Sequence, residues 1–83
     1  GVVAAFVDAL GRFTGRQIIL VEYSEHALSH SADAEAVCYI QLNIDGERSC
    51  GVGRSHDIVQ ASLRAILGAL SRSGVVAEGS AAA

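Results

Sequence analysis

The sequence has no lysine, proline, methionine or tryptophan, and only two cysteines, two tyrosines and two phenylalanines. Each scarcity excludes something. Without lysine, the six cations are all arginine, scattered along a chain of net charge −3, which leaves no basic footprint for nucleic acid. Two cysteines in 83 residues are too few for a disulfide scaffold and fit a reducing, cytoplasmic compartment. No apolar run approaches the ~20 residues that span a bilayer, so no membrane partner is expected. The start has neither the basic segment nor the cleavage site of a secretory signal. A chain without methionine that begins at Gly1 reads as a piece cut from a longer protein. With no proline, turns must be marked by glycine and short polar residues.

What is present is oily. Hydrophobic residues make up 51% and charged residues 18%, with a mean hydropathy of +0.37, which argues for a folded domain and against disorder. One domain of this size buries only ~60% of its unfolded surface, so apolar surface is left for a partner. A homodimer or higher oligomer is expected.

Five segments emerge. Val3, Phe6, Leu10 and Phe13 recur at spacings of three and four and predict a helix over 2–13, ended by Gly15. The β-branched run Ile18-Ile19-Leu20-Val21 predicts a strand continuing through Tyr23 towards His26, followed by a polar connection at Ser29-His30-Ser31. From Asp33 to Ile44 the residues Ala34, Ala36, Cys38, Ile40, Leu42 and Ile44 alternate with a mixed set, the pattern of a strand with one buried face. Asn43-Ile44-Asp45-Gly46 is a turn signal. A two-residue Asp45-Gly46 loop would send Glu47, Ser49 and Gly51 to the apolar face. A bulged turn would send Arg48, Cys50 and Val52 there, and apolar parity favours the bulged turn. A second helix is expected over 57–73, with Asp57 and Gln60 as a capping pair and Arg72 and Gly74 at its end. Val59, Leu63, Ile66 and Leu70 form its large stripe, with Ala61, Ala65 and Ala69 beside it. Residues 75–83 read as a frayed tail. The predicted fold class is α+β, in the order α-β-β-β-α: a three-stranded antiparallel sheet over 16–54 with two helices on one face. No internal repeat is visible.

Catalytic chemistry finds little support. His26 and His30 are four apart, but on strand and loop the rings need not converge on a metal. Cys38 and Cys50 are expected on one buried face, diagonal and ~7–8 Å apart, hence both reduced. His26 or His56 would have to reach a buried cysteine to form a nucleophile pair. Glu25, His26, Asp33 and Glu35 read as solvated strand and loop residues. Gly51-Val52-Gly53 lacks the further glycine or Gly-Lys-Ser/Thr ending of a phosphate loop. These features predict a binding, regulatory or assembly module without catalytic residues or a cofactor of its own. A small stand-alone enzyme is the reading they oppose.

Three stretches carry a resemblance. Val21-Glu22-Tyr23-Ser24-Glu25-His26-Ala27-Leu28 resembles the (D/E)Y-x-EHAL strand of α-isopropylmalate synthases. Ala32 to Ile40 resembles their A-DAQAA-x-YV strand, and Gly51-Val52-Gly53 leading to Ile58-Val59-Gln60-Ala61-Ser62-Leu63-Arg64-Ala65 resembles their GVG…IVTASLKA helix start. Gly1 to Leu10 is similar to the end of their G-P-V-x-A-L segment. The match runs in order over most of 1–73.

The resemblance implies the C-terminal regulatory domain of an acyltransferase of leucine biosynthesis, which joins acetyl-CoA to 2-oxoisovalerate. That domain binds leucine, imposes feedback inhibition and helps form a dimer. Catalysis and its divalent metal belong to a TIM barrel elsewhere in the parent chain. Residues 1–74 would supply the helix ending one βββα module and the whole of the next. The implied leucine site uses backbone N–H groups at Gly1, Val3 and Ala4 for the carboxylate, Tyr23 as a wall, and Ala27, Ala34 and Ala36 around an isobutyl slot. Two positions depart from the family pattern: Val2 replaces its proline, and Arg54 follows the GVG where an apolar residue is usual. Arg54 would either block the pocket or reach the carboxylate. The alternative function is a dimerisation module with no effector site.

Overall fold

The computed structural model describes residues 1–28 and 34–74. Helix α1 (Val2–Thr14) is followed by strands β1 (Ile18–Ala27), β2 (Ala36–Ile44) and β3 (Glu47–Ser55) and helix α2 (Ile58–Arg72). The sheet is antiparallel in the order β1-β2-β3, and both helices contribute to one core on one of its faces. The predicted α-β-β-β-α architecture is the observed one. The expected connection at Ser29-His30-Ser31, together with Asp33 and the tail 75–83, lies outside the described residues.

Strand β2 is central and behaves as its alternation predicts. Cys38, Ile40, Leu42 and Ile44 are almost fully buried under the helices. The predicted bulged turn does not occur. Ile44 pairs with Glu47, leaving a two-residue loop with Asp45 at φ 52° and Gly46 at φ 90°. Positive φ at both central residues is the mirror-image turn that matches strand twist, and glycine carries the second position without steric cost.

That turn reverses the predicted facing of β3. Gly51, Gly53 and Ser55 are buried beneath α2, while Arg48, Cys50 and Val52 face away. Cys50 is therefore exposed and on the opposite face from buried Cys38, which corrects the expectation of two buried cysteines. The physical reason lies in helix approach. Ala61, Ala65 and Ala69 are all buried against β3, so the two backbones nearly touch. A Cβ on Gly53 would stand 2.5 Å from the Ala65 amide nitrogen, and one on Gly51 2.7 Å from that of Ala69. No larger residue fits this seam, so small residues rather than apolar ones decide the register here.

The large stripe of α2 is correspondingly displaced. Ile66 and Leu70 are buried, but Val59 is exposed and Leu63 only half-buried. Asp57 caps α2 by accepting from the Val59 amide at 2.9 Å. Gln60 does not close the expected capping box. Its Oε1 accepts from the Ser55 hydroxyl, whose oxygen accepts from the Asp57 amide. On α1 the core-facing line is Val3, Val7 and Leu10; Phe6 and Phe13 lie to the side, with Phe13 78% exposed. The predicted stripe is therefore rotated, because α1 is apolar on two sides and only one meets the sheet.

Strand β1 contains a bulge between Leu20 and Glu22. Ile18 and Leu20 face the helices. Beyond the bulge the parity changes, and Tyr23, Glu25 and Ala27 take that side in place of Glu22, Ser24 and His26. His26 packs edge-on to Tyr39 on the outer face, at 6.0 Å between centroids.

Candidate functional site

The first turn of α1, the middle of β1 and the start of α2 enclose an open cavity of about 470 Å³. Gly1, Val2, Val3 and Ala4 form one side, Leu20, Tyr23 and Glu25 the floor, and Ile58, Val59 and Ser62 the other side. The chain is positioned here by three local devices. Gly1 caps α1 without a side-chain hydrogen bond, and its carbonyl accepts from the Ala5 amide, so the amides of the first turn have no intrahelical acceptor. The β1 bulge turns Tyr23 and Glu25 inward. Gly51 and Gly53 let α2 sit low on the sheet, and this brings Ser62 to the Tyr23 hydroxyl.

Tyr23 is the centre of a polar cluster. Its hydroxyl lies 2.6 Å from Glu25 Oε2, 3.0 Å from Ser62 Oγ and 3.8 Å from Cys38 Sγ. The single phenolic proton goes to the carboxylate, since an ionised carboxylate only accepts. The single Ser62 proton is shared between the Tyr23 oxygen and the Ile58 carbonyl at 2.9 Å, and Ser62 Oγ stands 3.5 Å from Cys38 Sγ. Burial pushes the Tyr23 phenol up to about 12 from its ordinary 10.0; the Glu25 carboxylate and Cys38 act in the same direction, against the opposing bond from Ser62. Tyr23 is thus a neutral donor at physiological pH.

The structure brings together Gly1, Val3, Ala4 and Tyr23 from the sequence-predicted set. It places Ala27 opposite Ala36 in the β1–β2 pairing, one step beyond Glu25 opposite Cys38. Ala34 precedes β2 and is half-buried. None of these three alanines lines the cavity; Ala27 shares the helix-side face of β1 with Tyr23 and Glu25, and Ala36 that of β2 with Cys38. Arg54 lies on the outer face, where its guanidinium pairs with Glu35 at 3.1 Å. It neither blocks the cavity nor faces it, which removes both roles considered for it. Sequence reasoning missed Glu25 as a cavity residue, and also Leu20, Ile58, Val59 and Ser62. The helix start at Asp57 could have suggested the last three.

Among the described residues, no three His, Cys, Asp or Glu side chains come together as metal ligands. His30, the second half of the His26 pair, lies outside the described residues. No helix among them is long and apolar enough to cross a membrane.

Comparison with known proteins places this geometry in a family. Residues 1–73 match the model of the LeuA allosteric (dimerisation) domain. The chain is 43% identical over 72 residues to a 2-isopropylmalate synthase of Mycobacterium leprae, covering 87% of this chain and 12% of that protein. It is 44% identical over 72 residues to one from Thermobifida fusca, with the same coverage. It is 40% identical over 72 residues to one from Brucella suis, of which it covers 13%. The chain therefore spans only 12–13% of the length of these curated relatives. The matched stretch takes in both helices and all three strands, and the chain belongs to the LeuA allosteric (dimerisation) domain family.

Proposed function

We propose that the chain serves as part of the leucine-binding regulatory domain of a 2-isopropylmalate synthase, a cytoplasmic enzyme of leucine biosynthesis. In this reading the acyl transfer and its divalent metal belong to a TIM barrel elsewhere in the parent chain. The carrying observation is the cavity between α1, β1 and α2, which joins apolar walls to unpaired helix N-terminal amides and a carboxylate. A free aliphatic amino acid needs those three features and little else. Its carboxylate lies near the amides of Val3 and Ala4 after Gly1, and its side chain packs towards Tyr23. Ala27, Ala34 and Ala36 keep the adjoining row shallow enough for isobutyl. Inhibition is then a coupling free energy between this cavity and the barrel.

Inhibition curves on the complete synthase test the reading. Ala34→Val and Ala36→Val should lower leucine sensitivity and leave uninhibited turnover near wild type. Unchanged leucine inhibition in both variants would remove the alanines from the site. Absence of leucine binding by the unaltered protein would remove the effector reading itself.

A dimerisation role has its own support. Phe6 is 36% exposed and Phe13 78% exposed on the flank of α1 beside its core-facing line. Such a face is suited to burial against another module, and homodimerisation of the parent follows in this reading. Sedimentation of the complete protein checks it: a monomer at high micromolar concentration overturns it.

A further inference from the structure

Glu25 is an exposed carboxylate at the rim of the cavity between α1, β1 and α2. Its neighbours around the cavity include Val2, Val3, Leu20, Ile58 and Val59, all apolar. No arginine lines the cavity, and none of the ion pairs among the described residues involves Glu25. A carboxylate at the rim of an apolar cavity with no cationic side chain beside it can take a charge-assisted hydrogen bond from a ligand cation. Its position is also built. The bulge after Leu20 is what turns Glu25 to the helix side, since unbroken alternation would have sent it to the outer face. Once there, the Tyr23 hydroxyl holds Oε2 at 2.6 Å, while nothing among the described residues bonds Oε1. Tyr23 is in turn fixed by Ser62, itself 97% buried on α2.

We propose that the Glu25 carboxylate, aligned by Tyr23, receives the α-ammonium of the bound amino acid and restricts the cavity to amino acids over acids of the same carbon skeleton. The inference rests on the leucine-binding reading above and adds the group that reads the amine. Amine recognition matters because an amino acid and its 2-oxo or des-amino counterpart share side chain and carboxylate. Apolar walls and helix amides cannot tell them apart. Glu25 can, because it loses its only cationic partner when the amine is missing. Tyr23 is a positioning residue: it donates to Glu25 and leaves the second oxygen to the ligand.

The test is calorimetric titration of the complete synthase with leucine and with 4-methylpentanoate, which lacks only the amine. Glu25→Gln should weaken leucine by about 10- to 100-fold, the range of a charge-assisted hydrogen bond, and leave 4-methylpentanoate unchanged. Glu25→Asp, which keeps the charge, should keep the preference for leucine. Tyr23→Phe, which keeps the ring, should weaken leucine severalfold and spare 4-methylpentanoate. Full leucine affinity in Glu25→Gln overturns the inference while leaving the leucine reading intact. So does an equal loss for both ligands in Glu25→Gln and Glu25→Asp. If the unaltered protein takes up no leucine, both fall together.

Discussion

The two helices meet the same sheet in different ways. Against β3, α2 presents Ala61, Ala65 and Ala69 to Gly51 and Gly53, and the backbones approach until no Cβ fits between them. Against β1, α1 places one fully buried residue, Val7, and leaves an open cavity beside its first turn. The first flank is closed by shape. The second is left with orphan amides, a carboxylate and exposed phenylalanine. Tight packing removes room for a ligand, and loose packing supplies it. One side of the module holds the fold and the other is available for function.

The sharpest way to break the comparison is to fill the closed seam. Gly53→Ala drives a methyl into the Ala65 amide nitrogen and the Arg64 Cβ, and neither backbone can retreat without lifting α2. A loss of about 3 kcal/mol or more is expected, at the upper end of overpacking effects. Denaturant titration would show it as a lowered midpoint. A midpoint within experimental scatter of wild type would mean that α2 is free to move and that the seam is not closed.

The same seam explains what could be read from the sequence. Strand β2 was legible because its core face is written in Cys38, Ile40, Leu42 and Ile44. Strand β3 was not, because its core face is written in Gly51, Gly53 and Ser55, which carry no hydrophobic signal. Parity arguments then favoured Cys50 and Val52. The small residues of α2 were visible at their helical spacing, and matching them to the glycines of β3 would have given the correct register. On the other flank, the four apolar residues Ile18 to Val21 hide a bulge, since an unbroken run shows no alternation to interrupt. Glu25 was read as solvated, and it is exposed, but the bulge hid that it lies on the helix side of the sheet. Gly1, Val3, Ala4 and Tyr23 entered as candidates through the resemblance, not through any periodicity.

Truncation should sharpen the contrast. Ile66→Ala opens a cavity under α2 in a region that cannot collapse further, and a loss of about 3–4 kcal/mol is expected. Val7→Ala on α1 removes less volume beside a flank that can shift, so about 1–2 kcal/mol is expected. Phe13→Ser, at a position 78% exposed, should change the stability of an isolated module by no more than about 0.5 kcal/mol. Equal costs for Ile66→Ala and Val7→Ala would abolish the distinction between the flanks.

Tyr23 links the two flanks, because its hydroxyl on the open side bonds Ser62 on the closed side. Its phenol titrates higher folded than unfolded, so the folded state holds that proton more tightly. The associated stability is complete below pH 10, then falls as pH rises from 10 towards about 12. Tyr23→Phe should flatten this part of the stability–pH curve. A wild-type curve no steeper than that of the variant over this window would show that the cluster does not hold the proton.

The smallest expected effect lies at the far end of the sheet, where Asp45 ties the β2–β3 turn to the start of β1. Its Oδ1 accepts from the Gln17 amide at 3.0 Å, and its Oδ2 meets the Arg16 guanidinium at 3.2 Å. The Gln17 amide first, and Arg16 second, hold its carboxyl below the ordinary 3.8. A carboxyl lowered on folding stabilises above its unfolded value and ceases to do so as pH falls through the folded one. Asp45→Asn keeps the amide acceptor and suits the left-handed turn, so stability at neutral pH should barely change. What should vanish is the part of the decline below pH 3.8 that Asp45 causes. Acid titrations of the two proteins, followed by circular dichroism, should show the variant less sensitive over that range. Superimposable acid curves would mean that the Arg16 pair and the Gln17 bond survive in neither state, and that the turn is held by its backbone alone.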